Sequence, residues 1–119
     1  MSNNSFSRKQ VCLGVQLREV WGEDKLKCYK FIFDLAKHLD MKVMGSPLIE
    51  YIDTPGNKGI SAVCIIQTSH ICVHEWPEYN ELQLDIFSCK DFDTSELVKW
   101  ISSNISAEQV LLKVVQDSK

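Results

Sequence analysis

The residues able to do chemistry crowd into one stretch, Gly59 to Cys89, which reads GISAVCIIQTSHICVHEWPEYNELQLDIFSC. It holds Ser61, Ser69, His70, His74, Glu78 and Cys89, with Ser69 in a short polar sequence, Gln67-Thr68-Ser69-His70, between two apolar runs. A hydroxyl beside histidines at the junction of two strands first raises metal binding. His70-x-Cys72-x-His74 would set three ligands on one strand face, and Cys89 from the neighbouring strand would make a fourth. Structural zinc sites usually draw ligand pairs from turns with two to four intervening residues, and Cys72 equally suits a packed strand, so no metal is assigned. A Ser-His-acid hydrolase built from Ser69, His74 and Asp85 or Glu78 is the next possibility. The nucleophile of such enzymes sits on an elbow or loop whose glycines admit an oxyanion to backbone amides, and Thr68-Ser69-His70 has no such glycine.

The elements that must position these residues follow from periodicity. Val11, Leu13, Val15 and Leu17 alternate with polar residues, predicting a strand over Val11 to Trp21. Leu26, Tyr29, Ile32, Phe33, Leu35, Ala36 and Leu39 recur at helical spacing and predict a helix over Asp24 to Leu39. Met41 to Ile52 reads as extended, broken at Gly45-Ser46-Pro47, and Thr54-Pro55-Gly56-Asn57 as a turn. Ile60 to Ile66, apolar on both faces, predicts an interior strand; Ile71 to Trp76 and Leu82 to Cys89 continue an antiparallel meander. Asp93 with Glu96 opens a helix to about Ser103, and Val110 to Val115 supplies a last strand. The order is β-α-β-β-β-β-α-β, an α+β two-layer sandwich in which two helices cover one face of an antiparallel sheet. An apolar second face would then be buried by dimerisation.

The chain has 119 residues, enough for a single domain with one core, and residues 1 to 9 read as a disordered start. A formal charge of -3 lacks the basic footprint of nucleic-acid binding. No apolar run reaches membrane-spanning length, and the polar N-terminus has no signal-peptide pattern, so a cytoplasmic protein is expected. Five cysteines, odd in number and irregular in spacing, are expected to be free thiols.

Ser69, His70, His74, Trp76, Pro77 and Glu78 stand in the order Ser-His-(x)3-His-x-Trp-Pro-Glu, followed at a fixed distance by Asp85-Ile86-Phe87-Ser88-Cys89. This pattern resembles the small prokaryotic type of S-adenosylmethionine decarboxylase proenzyme. The resemblance implies a chain that cuts itself between Thr68 and Ser69, leaving a pyruvoyl cofactor derived from Ser69 that forms a Schiff base with the substrate amine and acts as electron sink for loss of CO2. It implies that His74 and Ser61 assist processing, that Cys89 reprotonates the substrate carbon, and that Glu78 accepts hydrogen bonds from ribose hydroxyls. Tyr51 is the candidate aromatic for stacking on adenine. The implied product, decarboxylated S-adenosylmethionine, feeds polyamine (spermidine) synthesis.

The family has glutamate where this chain has Thr68, which marks a divergent member. Two alternatives stay open: a pyruvoyl-dependent decarboxylase of another amino acid, ornithine or arginine, and an unprocessed homologue acting as a binding or regulatory partner. Strict alternation places Ser69 and His74 on opposite sheet faces, so their cooperation requires an irregularity near Ser69.

Overall fold

The computed structural model describes residues 7–118. Six strands and two α-helices occur in the order β1 (Arg8–Leu17), α1 (Lys25–His38), β2 (Leu48–Ile52), β3 (Gly59–Ile66), β4 (Ser69–Trp76), β5 (Glu81–Ser88), α2 (Thr94–Asn104) and β6 (Ala107–Ser118). This is the expected α+β sandwich. The strands form one antiparallel sheet in the order β2-β3-β4-β5-β1-β6, so the meander from β2 to β5 is closed by the first and last strands of the chain. Among the described residues no helix is long and apolar enough to cross a membrane.

Several boundaries differ from expectation. The first strand runs from Arg8 to Leu17 rather than from Val11 to Trp21; at its start Lys9 is buried, with its ammonium bonded to Asp91 and to the Phe92 carbonyl. The rest of the expected disordered start, residues 1–6, lies outside the described residues. Val20 and Trp21 leave the sheet and pack against the core from the loop before α1. The last strand runs for 12 residues, well beyond the apolar segment, because pairing with β1 holds it throughout.

Each helix forms where a cap and an apolar stripe coincide. The Asp24 carboxylate accepts from the Leu26 and Lys27 amides at the start of α1, and Asp93 does the same for Ser95 and Glu96 at the start of α2. Cys28, Phe31, Ile32, Leu35 and Ala36 of α1 and Leu97 and Ile101 of α2 are buried against the sheet. The strands meet them with alternate residues: Leu13 and Val15 of β1, Ile60 and Ile66 of β3, Ile71 and Val73 of β4, Leu82, Leu84 and Ile86 of β5.

The intervening residues face away from both helices. On that open face Leu48, Val63 and Ile65 are 59%, 48% and 67% exposed, so the double-sided apolarity of β3 leaves an apolar patch there. The same face carries Cys12, Ser61, His70, Cys72, His74, Gln83 and Asp85, as the strand register requires.

Two local features hold β4 in place. Gly59 has φ +146°, and a Cβ there would lie 1.7 Å from the Glu75 carbonyl oxygen, so only glycine lets β3 come this close to β4. The Glu75 side chain, 2% exposed, turns to the helix side and accepts from the Trp21 and Gly22 amides at 2.9 and 3.0 Å. It thereby satisfies the backbone of the loop that leads into α1.

Candidate active site at the two ends of β4

The two-residue turn Gln67-Thr68 joins β3 to β4, with Ile66 paired to Ser69 across it. A backbone leaving so tight a turn must reverse sharply, and Ser69 absorbs the reversal with φ +150°, a region nearly confined to glycine. The irregularity is one of backbone conformation: the register of β4 runs unbroken from Ser69 to Trp76, so it does not bring Ser69 to His74 within the chain. Next to it the Cys89 amide donates to the Thr68 carbonyl oxygen at 2.9 Å. Buried Ser88, paired with Ser69 across β4 and β5, donates from its hydroxyl to Thr68 Oγ1 at 2.9 Å and accepts from the Lys90 amide. The peptide bond between Thr68 and Ser69 is therefore gripped on its upstream side by Ser88 and Cys89. The Cys89 side chain beyond β5 is exposed.

The second group lies at the other end of the strand. Ser61 and His74 face one another across β3 and β4, with His74 Nδ1 3.0 Å from Ser61 Oγ. The imidazole stacks on Trp76 at 5.9 Å between ring centroids, and the Trp76 indole N–H donates to Asn57 Oδ1 in the turn before β3. Glu78 follows in a short 3-10 helix, Pro77–Tyr79, whose carboxylate-bearing residue is exposed. Glu50 stands opposite Ser61 on β2 and Gln83 opposite His74 on β5, both on this face.

The structure thus brings Thr68, Ser69 and Cys89 together, and separately Ser61 and His74, with Glu78 exposed in the turn that follows β4. It does not bring the two groups together: Ser69 and His74 are five residues apart along one strand, roughly 16 Å at ~3.3 Å per residue. Tyr51 joins neither, since it pairs with Ile60 and packs against the core on the helix-covered side of the sheet. Ser88, Gln83 and Glu50 were missed in the sequence. Their partners are set by cross-strand register, and the nearest local signal was the position of Ser88 immediately before Cys89.

The cysteines divide the same way. Burial, and then the nearby Glu75 carboxylate, push the Cys28 thiol up to about 12, which makes it an inert packing residue. Burial also raises Cys64.

Comparison with known proteins gives a consistent result. Residues 18–117 match the family model for S-adenosylmethionine decarboxylase. A Clostridium botulinum S-adenosylmethionine decarboxylase proenzyme is 31% identical over 101 residues, covering 81% of this chain and 84% of that protein. A Pseudomonas paraeruginosa proenzyme is 36% identical over 55 residues, 45% of this chain and 34% of that one. The crystal structure of the adenosylmethionine decarboxylase from Aquifex aeolicus superposes with a TM-score of 0.73 over 94% of this chain and 90% of that one, at 14% identity, which speaks to the fold alone. The strained serine after a β-turn, the Ser-His pair down the strand and the match along residues 18–117 agree with one another, and the chain belongs to the S-adenosylmethionine decarboxylase family.

Proposed function

We propose that the chain is a self-processing, pyruvoyl-dependent decarboxylase of S-adenosylmethionine, supplying decarboxylated S-adenosylmethionine for polyamine synthesis. The observation that carries the reading is the Thr68–Ser69 peptide bond: its carbonyl oxygen already accepts the Cys89 amide at 2.9 Å, and the following residue is held at φ +150°. A hydrogen-bond donor on that oxygen stabilises the negative charge that develops when a hydroxyl attacks the carbonyl carbon. Ser69 Oγ is the adjacent hydroxyl. Its attack moves the Thr68 acyl group from nitrogen to oxygen, and removal of the Ser69 Cα proton then expels the upstream chain as a Thr68 carboxylate. The dehydroalanine left at residue 69 takes up water and loses ammonia to become the pyruvoyl group. That group supplies an electron-withdrawing carbonyl for decarboxylation. Thr68, replacing a glutamate, keeps the carbonyl on which this depends and adds a hydroxyl tied to Ser88.

The Cα proton needs a base, and in one chain His74 is too distant to serve. We propose that a second copy, packed open face to open face about a two-fold axis, carries its Ser61–His74 pair and Glu78 to the first chain's Ser69 and Cys89, and receives the same in return. The exposed Leu48, Val63 and Ile65 on that face favour such a homodimer. In the assembled site His74, oriented by Ser61, takes the Cα proton; Glu78 accepts from the ribose hydroxyls of the substrate; and Cys89 returns a proton to the substrate carbon. Tyr51, on the other side of the sheet, has no part in this arrangement.

Intact-mass spectrometry of the purified protein, with Ser69→Ala as control, tests the reading. Two fragments divided between Thr68 and Ser69, the downstream one bearing a pyruvoyl mass and both absent from the control, are expected. Release of CO2 from carboxyl-labelled S-adenosylmethionine, and not from ornithine or arginine, then assigns the substrate. A single uncleaved chain after prolonged incubation would overturn self-processing and leave a non-catalytic binding partner as the better description.

A further inference from the structure

Between the two ends of β4 the open face carries a third group of reactive side chains that the proposed reaction does not use. Cys72 on β4, Asp85 on β5 and Cys12 on β1 lie directly opposite one another in three consecutive strands, and His70 is two residues from Cys72 on the same face. We infer that His70, Cys72 and Asp85 form a three-residue binding site for a divalent metal ion of zinc type, with the fourth position left to water.

Geometry carries the inference. One ligand atom from each of His70, Cys72 and Asp85 lies within 4.8 Å of the other two, all three residues being half-buried. His70 Nε2 is 3.5 Å from Asp85 Oδ2, and Cys12 Sγ is 3.3 Å from Asp85 Oδ1. Ligands bonded to zinc at ~2.0–2.3 Å in a tetrahedron are separated by roughly 3.5 Å, so the His70–Asp85 edge is already near its bound length and Cys72 is within a small side-chain adjustment of it. The Gln10 amide donates to Asp85 Oδ1 at 3.1 Å, leaving Oδ2 directed to His70. An outer hydrogen bond of this kind is what orients a carboxylate ligand.

Ligand chemistry selects the ion. Imidazole, thiolate and carboxylate together suit zinc and its borderline neighbours, whereas magnesium and calcium prefer oxygen alone. The ligand set weighed from sequence, His70, Cys72, His74 and Cys89, to which no metal is assigned there, is not the one the fold assembles: His74 is committed to Ser61 and Cys89 lies beyond the end of β5. Asp85 takes their place because it is the cross-strand neighbour of Cys72, a relation spacing does not reveal.

The site does not depend on cleavage before Ser69, so it is tested in the full-length Ser69→Ala chain as well as in wild type. Reduced, metal-free protein is titrated with Co(II), which is then displaced by Zn(II). Expected are one ion per chain, a thiolate charge-transfer band and the visible bands of tetrahedral Co(II), in both proteins. Cys72→Ser and Asp85→Asn each weaken binding about tenfold or more; Cys12→Ser leaves the charge-transfer band in place. Cys89→Ser leaves the metal affinity unchanged. Circular dichroism of the metal-free variants shows whether each is folded, and Asp85→Asn carries the test should Cys72→Ser fail to fold. Absence of micromolar binding to the folded wild-type chain, or binding lost with Cys89 and retained without Cys72 and Asp85, would overturn the site.

Discussion

At its start β4 leaves a two-residue turn with Ser69 in a backbone region that side chains rarely adopt, whereas near its end His74 sits in an unbroken ladder between Ser61 and Gln83. One end holds a peptide bond under local strain, with its carbonyl oxygen bonded to the Cys89 amide. The other holds an imidazole whose orientation comes from regular pairing and a short contact to Ser61. The contrast teaches that bond and base are made by different means and kept apart: a lone chain has the bond without the base beside it. On the proposed reading the separation is a safeguard as well as an obstacle, because cleavage would wait for assembly.

The sharpest way to break this comparison is to divide the two ends between chains. His74→Ala should slow cleavage by about a hundredfold to ten-thousandfold, the range for loss of a proton-transfer group. Ser69→Ala should abolish it. Mixed in one heterodimer, the Ser69→Ala chain donates its intact His74 to the intact Ser69 of the His74→Ala chain, so the latter should be cut near the wild-type rate. Mass spectrometry of co-expressed, differently tagged chains reads this directly. Failure of the mixture to process, with heterodimers demonstrably formed, would sink the two-chain site.

A second prediction attacks the regular end through its backbone. Gly59→Ala forces a Cβ into the Glu75 carbonyl, separating β3 from β4 close to the Ser61–His74 pair. Loss of about 3 kcal/mol or more is expected in urea denaturation. Gly14, on β1 with open space around its Cβ position, is the contrasting site, and Gly14→Ala should change stability by less than about 1 kcal/mol.

How far these features could be read in advance depended on the range of the interactions that make them. Both helices were legible because Asp24 and Asp93 cap them and their apolar residues recur along a few turns. The strand order of the meander was legible because its turns are short. The placement of β1 between β5 and β6 was not, since it depends on pairings between residues as distant as Lys9 and Ser88. The candidate site divided along the same line. Ser69, His74 and Cys89 could be picked from one stretch, and the need for an irregularity at Ser69 followed from alternation. The grip of Ser88 on Thr68, the position of Tyr51 on the helix side and the Cys12-Asp85-Cys72 row all depend on register across strands.

Glu75 offers a pH-dependent test near the regular end. Burial raises its carboxyl above the ordinary 4.5 despite the opposing hydrogen bonds from Trp21 and Gly22. The folded chain therefore holds this proton more tightly than the unfolded chain does. The stability so contributed is full below 4.5 and is lost as pH rises through the raised folded value. Glu75→Gln removes the titration, so the variant should gain on the wild type as pH is raised from below 4.5 towards neutrality. Urea denaturation of both proteins across that range checks the sign; a constant difference would show that Glu75 titrates alike in both states.

The smallest effect isolates the strain itself. At an ordinary strand position glycine is less stable than alanine by about 0.5–1 kcal/mol, because it has more freedom to lose. At residue 69, with φ +150°, a Cβ is the disfavoured choice, and its cost is of order 1–3 kcal/mol. Neither Ser69→Gly nor Ser69→Ala can be cleaved, so the two can be compared as intact chains. Ser69→Gly should be the more stable by about 1 kcal/mol, reversing the usual order, while at His74 the alanine variant should exceed the glycine variant by about the ordinary amount. If alanine proved the more stable at both positions, the start of β4 would carry no strain. The polarised Thr68 carbonyl would then have to account for the proposed reactivity of this bond without help from the serine backbone.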